Sequence, residues 1–308
     1  MSLKDLYDKN VNIMEYFRER ENTSNNTLNS IMTSYDLQAG SYIKDYEDDN
    51  ESDNYHINNE RISLKSKVYK EKFITAIKDV FDKFDYSTVL EAGVGEATTL
   101  NFIIEKCNKN AKYYGFDLAP SRIMQGQRFL KKYNNSAELI VGNLLQTPYE
   151  DNAFDIVYTV HSIEPNTDKA SDILKELYRI TNKYLILIEP CYELGNEETK
   201  KNIDKHKYIK NLKAITDSLG YKIIEYKLFP IGTYANQPQL LIIEKNAKAQ
   251  NKEAVKYCCP ICQNHLVTST QFGEVNYFCK ECLVVYPVLK NVPLLTKEHA
   301  ILFTQYLE

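Results

Sequence analysis

Hydrophobic positions between residues 65 and 246 alternate between helical spacing and short continuous runs. Apolar side chains recur at helical intervals at Val68, Phe73, Ile74, Ile77, Val80, Phe81 and Phe84, which predicts an amphipathic helix. Apolar runs predict strands at Thr88–Glu91, Lys112–Asp117, Ala137–Val141, Phe154–Val160, Tyr184–Glu189, Tyr221–Phe229 and Leu240–Lys245. Helices are predicted between them at Ala97–Lys106, from Pro120, at Asp168–Ile180 and at Thr199–Leu219. This alternation predicts an α/β fold with a seven-stranded, mostly parallel sheet and helices on both faces.

Polar segments divide the 308-residue chain into four parts. Residues 1–64 form a polar N-terminal segment, in which the acidic stretch Asp45–Asp53 is expected to be a solvated loop. Residues 65–246 form the α/β domain, residues 247–256 a polar linker, and residues 257–308 a small C-terminal domain. One large and one small domain fit the length of the chain.

The composition, net charge and apolar runs of the chain argue against some classes of protein. Hydrophobic residues make up 43% of the chain, and the net charge of −4 argues against coating nucleic acid through its phosphates, although a local basic patch is compatible with it. No apolar run approaches the roughly 20 residues that cross a bilayer. The N-terminus also lacks the apolar stretch of a signal peptide, so a cytoplasmic protein without a membrane segment is expected.

A glycine-containing turn follows the first strand of the predicted sheet. It runs from Glu91 through Gly93 and Gly95 to Ala97 and opens a helix, where glycines allow close approach of a ligand to free backbone N–H groups. Asp117 ends the second strand, 24 residues beyond Gly93, where a carboxylate can accept hydrogen bonds from ribose hydroxyls. Many doubly wound folds carry such a turn, and Asp117 has the alternative role of capping the next helix.

After the glycine turn and Asp117, a third feature indicates a nucleotide-like cofactor site. It is the segment Gly142–Val157 (GNLLQTPYEDNAFDIV), a strand end and a proline-containing loop before an apolar strand. With it, residues 88–245 resemble the class I S-adenosylmethionine-dependent methyltransferases, which have a Rossmann-like sheet. The resemblance implies S-adenosylmethionine as cofactor, with the turn on its methionine part, the acid on its ribose and a polar residue on its adenine amine. These roles fall on Glu91, Gly93, Gly95, Asp117 and Asn143, with Leu118 and Leu144 flanking the adenine ring.

Two positions depart from the family pattern, and one further segment matches it. Ala97 stands where the family has a third glycine, and Asn143 replaces the usual Asp but still offers a carbonyl acceptor. Upstream, Ser34–Tyr42 (SYDLQAGSY) resembles a lid that closes over the cofactor in relatives. That resemblance implies a contact from Tyr35 to the ligand, the alternative being a packing tyrosine.

The acceptor is expected beyond the carboxyl ends of the strands, where two polar segments leave the sheet. Methyl transfer to a hydroxyl or a protonated amine requires alignment and removal of a proton. Glu164 and His161, after the fourth strand, are the main candidate bases. Glu193, after the fifth strand, and His206, on the following helix, are weaker ones. For each of them a structural or solvated role is the alternative.

Seven cysteines are present, and four form two CxxC units. Cys259, Cys262, Cys279 and Cys282 have the spacing of a closed, structural Zn²⁺ site, with Cys258 as a competing ligand. Residues 257–295 resemble the small zinc-ribbon activator subunit of methyltransferases that act on tRNA, rRNA and translation factors. This implies an activator acting in cis, or simply a folding cap.

Three functions are compatible with these patterns. The first is transfer of a methyl group to O or N of a small-molecule or sugar-like acceptor, favoured by the acidic charge and the acid-rich strand ends. The second is an RNA or protein methyltransferase, suggested by the zinc ribbon. The third is a non-catalytic fold, disfavoured by the retained turn and Asp117. The sequence does not indicate the acceptor or the oligomeric state.

Overall fold

The computed structural model describes residues 2–245, 255–270 and 275–306. Most of the predicted linker, residues 247–254, lies outside these ranges. Among the described helices, none has both the length and the apolar content needed to cross a lipid bilayer.

The N-terminal segment is mostly helical. Helices α1 to α4 span Leu3–Asp8, Ile13–Glu21, Leu28–Leu37 and Ser41–Asp48, and the hairpin strands β1 and β2 span Glu51–Ile57 and Glu60–Lys65. The loop predicted at Asp45–Asp53 is therefore wrong, because this stretch ends α4 and begins β1. Tyr46 packs on Phe102, with 5.1 Å between ring centroids, while Asp45, Glu47 and Asp48 remain exposed. Helix α4 thus has an apolar side, which is not evident from the run of acidic residues in the sequence.

The α/β region follows in the order that the sequence predicts. Its elements are α5 (Ser66–Phe81), β3 (Thr88–Ala92), α6 (Thr98–Lys106), β4 (Lys112–Asp117), α7 (Pro120–Lys132), β5 (Glu138–Val141), β6 (Phe154–Val160), α8 (Ala170–Ile180), β7 (Thr181–Pro190), α9 (Glu197–His206), α10 (Leu212–Ser218), β8 (Lys222–Leu228), β9 (Ile231–Thr233) and β10 (Pro238–Glu244). The sheet order β5-β4-β3-β6-β7-β10-β8 has only β10 antiparallel to its neighbours. A seven-stranded, mostly parallel, Rossmann-like sheet is therefore confirmed.

Successive side chains of each strand point to opposite faces of the sheet, so the strands contribute apolar residues to both faces. Val89, Ile156 and Ile186 pack with the buried side chains of α5, α6 and α7. Their neighbours Leu90 and Val157 pack on the other face, with α8 and α10. The sheet is thus covered by helices on both faces, and its polar strand ends are left to form a site.

The single helix predicted over Thr199–Leu219 is two helices, α9 and α10. Lys207 and Asn211 have φ values of +58° and +59°, which interrupt the helical path. Between them Ile209 is 1% exposed, and its N–H donates to the carbonyl of Glu164 at 3.0 Å. The break carries Ile209 into the core, which a helical pattern cannot reveal.

The C-terminal region is a small β structure against the edge of the main sheet. It contains β11 (Val267–Ser269), β12 (Asn276–Cys279), β13 (Val284–Tyr286), β14 (Val288–Leu289), β15 (Val292–Pro293) and β16 (Ile301–Leu302). Leu294, directly after β15, pairs in parallel with Val141 of β5. Cys258 N–H donates to the Pro148 carbonyl at 2.9 Å. The edge strand β5 is thereby covered.

Candidate active site

A cavity of about 440 Å³ lies at the carboxyl ends of β3, β4, β5 and β6. Helices α3, α4 and α5 also contribute to its wall, together with residues of β1, α6 and α7 and of β9 with the turn that follows it. The predicted cofactor residues all line it, namely Tyr35, Glu91, Gly93, Gly95, Asp117, Leu118, Asn143 and Leu144. His161 and Glu164 line it as well, so residues from α3 and from the ends of four strands meet at one place.

The turn after β3 passes very close to the loop after β6. Gly93 has φ +79°, and a Cβ atom there would lie 2.2 Å from Cβ of Ser162, so only glycine fits. The N–H groups of Gly93 and Val94 both donate to the Phe116 carbonyl at 2.9 Å, which fixes the turn on β4. Ala97 has φ +55°, a left-handed conformation that glycine adopts without strain and that alanine adopts at a cost.

Asp117 connects the glycine turn to the start of α7. Its Oδ2 accepts the Gly95 N–H at 3.0 Å, and its Oδ1 accepts the Ala119 N–H at 2.9 Å. Burial raises the pKa of this carboxyl, and the positive charge of Arg122 opposes that shift. Each oxygen keeps a lone pair for a ribose hydroxyl, so the acid suits a nucleoside ligand. Next to β5, Asn143 Oδ1 accepts the Leu145 N–H at 3.0 Å and likewise keeps acceptor capacity.

Lys70, which the sequence analysis missed, lies near Glu91 in the cavity wall. Glu91 is 3% exposed, and its Oε2 accepts the Tyr158 hydroxyl at 2.6 Å. Burial raises the pKa of Glu91 to about 8 and lowers that of Lys70 to about 8, and the attraction between the two charges opposes both shifts. Lys70 Nζ donates to Thr99 Oγ1 at 3.3 Å. A carboxyl and an ammonium group placed together in this way complement the ammonium and carboxylate of an amino acid.

The segment resembling a lid is tied to the cofactor side of the cavity. Glu96, directly after Gly95, accepts the N–H groups of Gly40 at 2.9 Å and Ile43 at 3.0 Å, at the start of α4. Asp36 of α3 accepts the backbone N–H of Ser121 at 2.7 Å, at the start of α7. Helices α3 and α4 therefore lie over the glycine turn.

Arg122, also missed by the sequence analysis, is held under this lid. Its Cζ lies 4.8 Å from the ring centroid of Tyr35 and 4.6 Å from that of Tyr42. The residue is 6% exposed and lines the cavity. Its position in the first turn of an ordinary amphipathic helix carries no signal in the sequence.

The loop after β6 brings a base, an imidazole and an amide together. Glu164 Oε2 lies 3.4 Å from His161 Nδ1 and 3.3 Å from Asn236 Nδ2. Burial lowers the pKa of His161, but its contact with Glu164 more than offsets this and leaves that pKa above its ordinary value. The buried carboxylate of Glu189 accepts the N–H groups of Ser162 at 3.1 Å and Ile163 at 3.2 Å, which fixes the loop. Asn236 comes from the distant turn after β9, so spacing along the chain could not identify it.

Glu193 and His206 are not among the residues that line the cavity. Glu193 Oε1 accepts the Asn211 N–H at 2.8 Å, where α10 begins. The ring of His206, at the end of α9, stacks on Tyr208 with 5.3 Å between centroids. The geometry favours Glu164 and His161 over these two as candidate bases.

The four predicted metal ligands also come together. The sulfur atoms of Cys259, Cys262, Cys279 and Cys282 all lie within 4.8 Å of one another. Tetrahedral Zn²⁺ with bonds of about 2.3 Å to sulfur separates its ligands by about 3.8 Å. The Cys262–Cys279 distance is 3.5 Å and the Cys259–Cys282 distance 4.0 Å, so the cluster fits this ion. Cys258 Sγ instead lies 3.7 Å from Nδ1 of His265.

Comparison with known proteins finds methyltransferases that are similar to this chain. Residues 89–183 match the family model described as "Methyltransferase domain". The demethylmenaquinone methyltransferase of Bacillus mycoides (strain KBAB4) is 23% identical over 218 residues, 70% of this chain and 90% of that protein. The demethylmenaquinone methyltransferase of Geobacillus stearothermophilus is 29% identical over 93 residues, 30% of this chain and 39% of that protein.

Among solved structures, the [4+2]-cyclase SpnF has a TM-score of 0.55 at 12% identity, covering 72% of this chain and 97% of that one. At this identity the likeness concerns the fold alone. The family match covers β3 to the start of β7, the strands whose ends build the cavity. This chain therefore contains a class I S-adenosylmethionine-dependent methyltransferase domain and is a methyltransferase.

Proposed function

We propose that this methyltransferase acts on an oxygen or nitrogen atom of a small-molecule or sugar-like acceptor. The observation that carries the proposal is the cavity of about 440 Å³ under the lid, with Glu164, His161 and Asn236 together in its wall. Both demethylmenaquinone methyltransferases are named for a small acceptor. A cavity covered by helices suits such a molecule better than a nucleic-acid strand.

In this proposal S-adenosylmethionine, when bound, supplies a methyl group on a positively charged sulfur. The turn of Glu91, Gly93 and Gly95 holds the methionine part, and Lys70 offers a cation to its carboxylate. Asp117 accepts the ribose hydroxyls. Asn143 accepts the adenine amine, and Leu118 and Leu144 flank the adenine ring.

Glu164 is the proposed general base. It is 7% exposed, and its Oε2 is oriented by His161 and Asn236. The carboxylate removes the proton of the acceptor's hydroxyl or ammonium group while the nucleophile is aligned with the methyl group. Glu189 contributes by holding the loop backbone, which keeps the base in place.

The test is transfer of a labelled methyl group to separated metabolite, RNA and protein fractions of cells. Label in the metabolite fraction supports the proposal, and label confined to RNA or protein overturns it. An Asp117→Ala variant is the control, because loss of the ribose acceptor should abolish transfer in every fraction.

An RNA or protein acceptor is the second candidate, and the C-terminal region is the observation that favours it. That region resembles a subunit of RNA and translation-factor methyltransferases, and it covers β5 next to the cavity. RNA as acceptor predicts binding that weakens steeply with salt. A filter-binding titration that detects no RNA binding at low salt would exclude RNA.

We further propose that the four-cysteine cluster binds a structural Zn²⁺ ion. Four thiolates leave no open coordination position, so this site supplies folding energy rather than catalysis. Because Leu294 and Leu295 reach β5, a metal-bound C-terminal region stabilises the catalytic domain in cis. One zinc ion per chain in an elemental measurement supports this site, and its absence from protein purified without chelator contradicts it.

A further inference from the structure

The guanidinium group of Arg122 has one edge that the protein leaves unpaired. Its Nε and Nη2 are buried and have no hydrogen-bond partner among the described residues. These two nitrogens lie along one edge of the planar group, where two parallel N–H bonds match two oxygens of a carboxylate or a phosphate. A buried, unpaired charged edge is costly, so a ligand in the cavity is the natural partner.

The surroundings of Arg122 hold this edge in a fixed orientation. Tyr35 and Tyr42 stack on the guanidinium from the lid. Asp117 attracts the positive charge, but both of its oxygens already accept backbone N–H groups, from Gly95 and Ala119. Stacking, attraction and a hydrogen bond with Tyr42 therefore position the group, while Nε and Nη2 keep no hydrogen-bond partner among the described residues.

Two molecules in the proposed reaction could supply an oxyanion to this edge, the cofactor through its carboxylate and the acceptor. Lys70 lies near Glu91, and the attraction between their charges opposes the pKa shifts that burial imposes on both groups. The two therefore form a pair suited to the amino-acid end of the cofactor. Arg122 instead lies against Gly95 and next to Asp117. Of the lining residues that the structure describes, Lys70 and Arg122 are the lysine and arginine, so Arg122 remains for the acceptor.

We propose that Arg122 forms an oxyanion subsite and that the acceptor carries a carboxylate or phosphate group bound there. The inference rests on the proposed function, because it requires a small acceptor in the same cavity. Tyr35 connects the subsite to the reaction centre, since its ring stacks on Arg122 and both Tyr35 and Glu164 line the same cavity. One end of the acceptor would then be held by Arg122 while its nucleophile faces Glu164.

The experiment titrates inorganic phosphate into the protein saturated with S-adenosylhomocysteine, at constant ionic strength, by calorimetry. Wild type should bind phosphate, and Arg122→Met should weaken binding about 10- to 100-fold, the loss expected for a pair of charge-assisted hydrogen bonds. Arg122→Lys keeps the charge without the two-pronged edge and should lie between them. Arg128→Met, an exposed position on the same helix, is the matched control and should bind as wild type does.

Equal phosphate binding by wild type and Arg122→Met overturns the subsite, as does no binding by wild type. A thermal melt establishes that each variant is folded, and Arg122→Lys replaces the methionine variant if that one is not. A second arm titrates S-adenosylmethionine and its decarboxylated analogue. If Arg122→Met weakens only the carboxylate-bearing cofactor, the oxyanion belongs to the cofactor and the acceptor assignment is wrong. Failure of wild type to bind S-adenosylhomocysteine would instead contradict the proposed function.

Discussion

Leu294 pairs in parallel with Val141, and the next N–H, that of Leu295, donates to the Val141 carbonyl at 2.9 Å. Val141 is the last residue of β5, and Gly142 and Asn143 enter the cavity wall directly after it. The C-terminal region is thus attached to the strand that precedes Asn143, the residue proposed to bind the adenine amine.

Removal of metal from the cysteine cluster should therefore affect the catalytic domain. Loss of this hydrogen bond and that of Cys258 removes on the order of 2 kcal/mol of stabilisation. For a domain of this size the melting temperature should fall by about 4–8 °C. Calorimetry with and without a zinc chelator, and with Cys279→Ser, measures the shift together with the affinity for S-adenosylmethionine, which should weaken. Unchanged melting and affinity in metal-free protein would show that the region does not support the domain.

Glu164→Gln should slow methyl transfer by roughly 10²–10⁴-fold, because the amide cannot accept the proton. The affinity for cofactor should change little, since the side chain acts on the acceptor. Glu193→Gln is the matched control, because Glu193 is outside the cavity and the amide oxygen can still accept the Asn211 N–H. Single-turnover rates and calorimetric Kd values separate the two effects. Wild-type turnover by Glu164→Gln would remove this residue from the mechanism.

Gly93→Ala should disrupt both the turn and the loop after β6. The new Cβ atom meets Ser162 at 2.2 Å, and its φ of +79° is unfavourable for alanine. Gly220→Ala is the control, because φ is +72° there too but no described atom lies within 4 Å of the added Cβ. The control should lose about 1–2 kcal/mol from backbone strain, and Gly93→Ala about 1–3 kcal/mol more from overpacking. Denaturant unfolding measures this difference, and only Gly93→Ala should lose cofactor binding.

The stability that depends on Glu91 should vary with pH. Burial raises the pKa of Glu91 from its ordinary value of 4.5 to about 8. The folded protein therefore keeps a proton that the unfolded chain releases within that interval, so this contribution to stability is lost as pH rises through it. The melting temperature of wild type relative to Glu91→Gln should fall from about pH 5 to about pH 8. A constant difference would contradict the assignment, and saturating cofactor should reduce the slope because its ammonium group favours the ionised carboxylate.

The sequence predicts the features that are formed by residues close together in the chain. The sheet follows from buried runs, and the turn at Gly93 and the acid at Asp117 each depend on a local strand end. The parts that it misses depend on distant elements. Lys70, Arg122 and Asn236 reach the cavity from α5, α7 and the turn after β9, where nothing in their local spacing marks them.

Local patterns also fail where tertiary contacts override them. The acids of Asp45–Asp53 indicate a solvated loop until Tyr46 is seen to pack on Phe102. The predicted helix through Ile209 is interrupted because its N–H bonds to the Glu164 carbonyl, beside the proposed base. The first segment lines the cavity through Asp45 and Tyr46, and the second supports the backbone of Glu164.

Because the C-terminal region covers β5, it also prevents this edge strand from pairing with strands of other copies of the chain. Glu138–Val141 has three buried apolar residues, and its free edge would present unpaired backbone groups to a passing strand. At the opposite edge, β8 carries Lys222, Glu225 and Lys227, charges of the kind that discourage such pairing. A chain that lost its C-terminal region would expose the less protected edge, so aggregation would accompany the loss of cofactor binding.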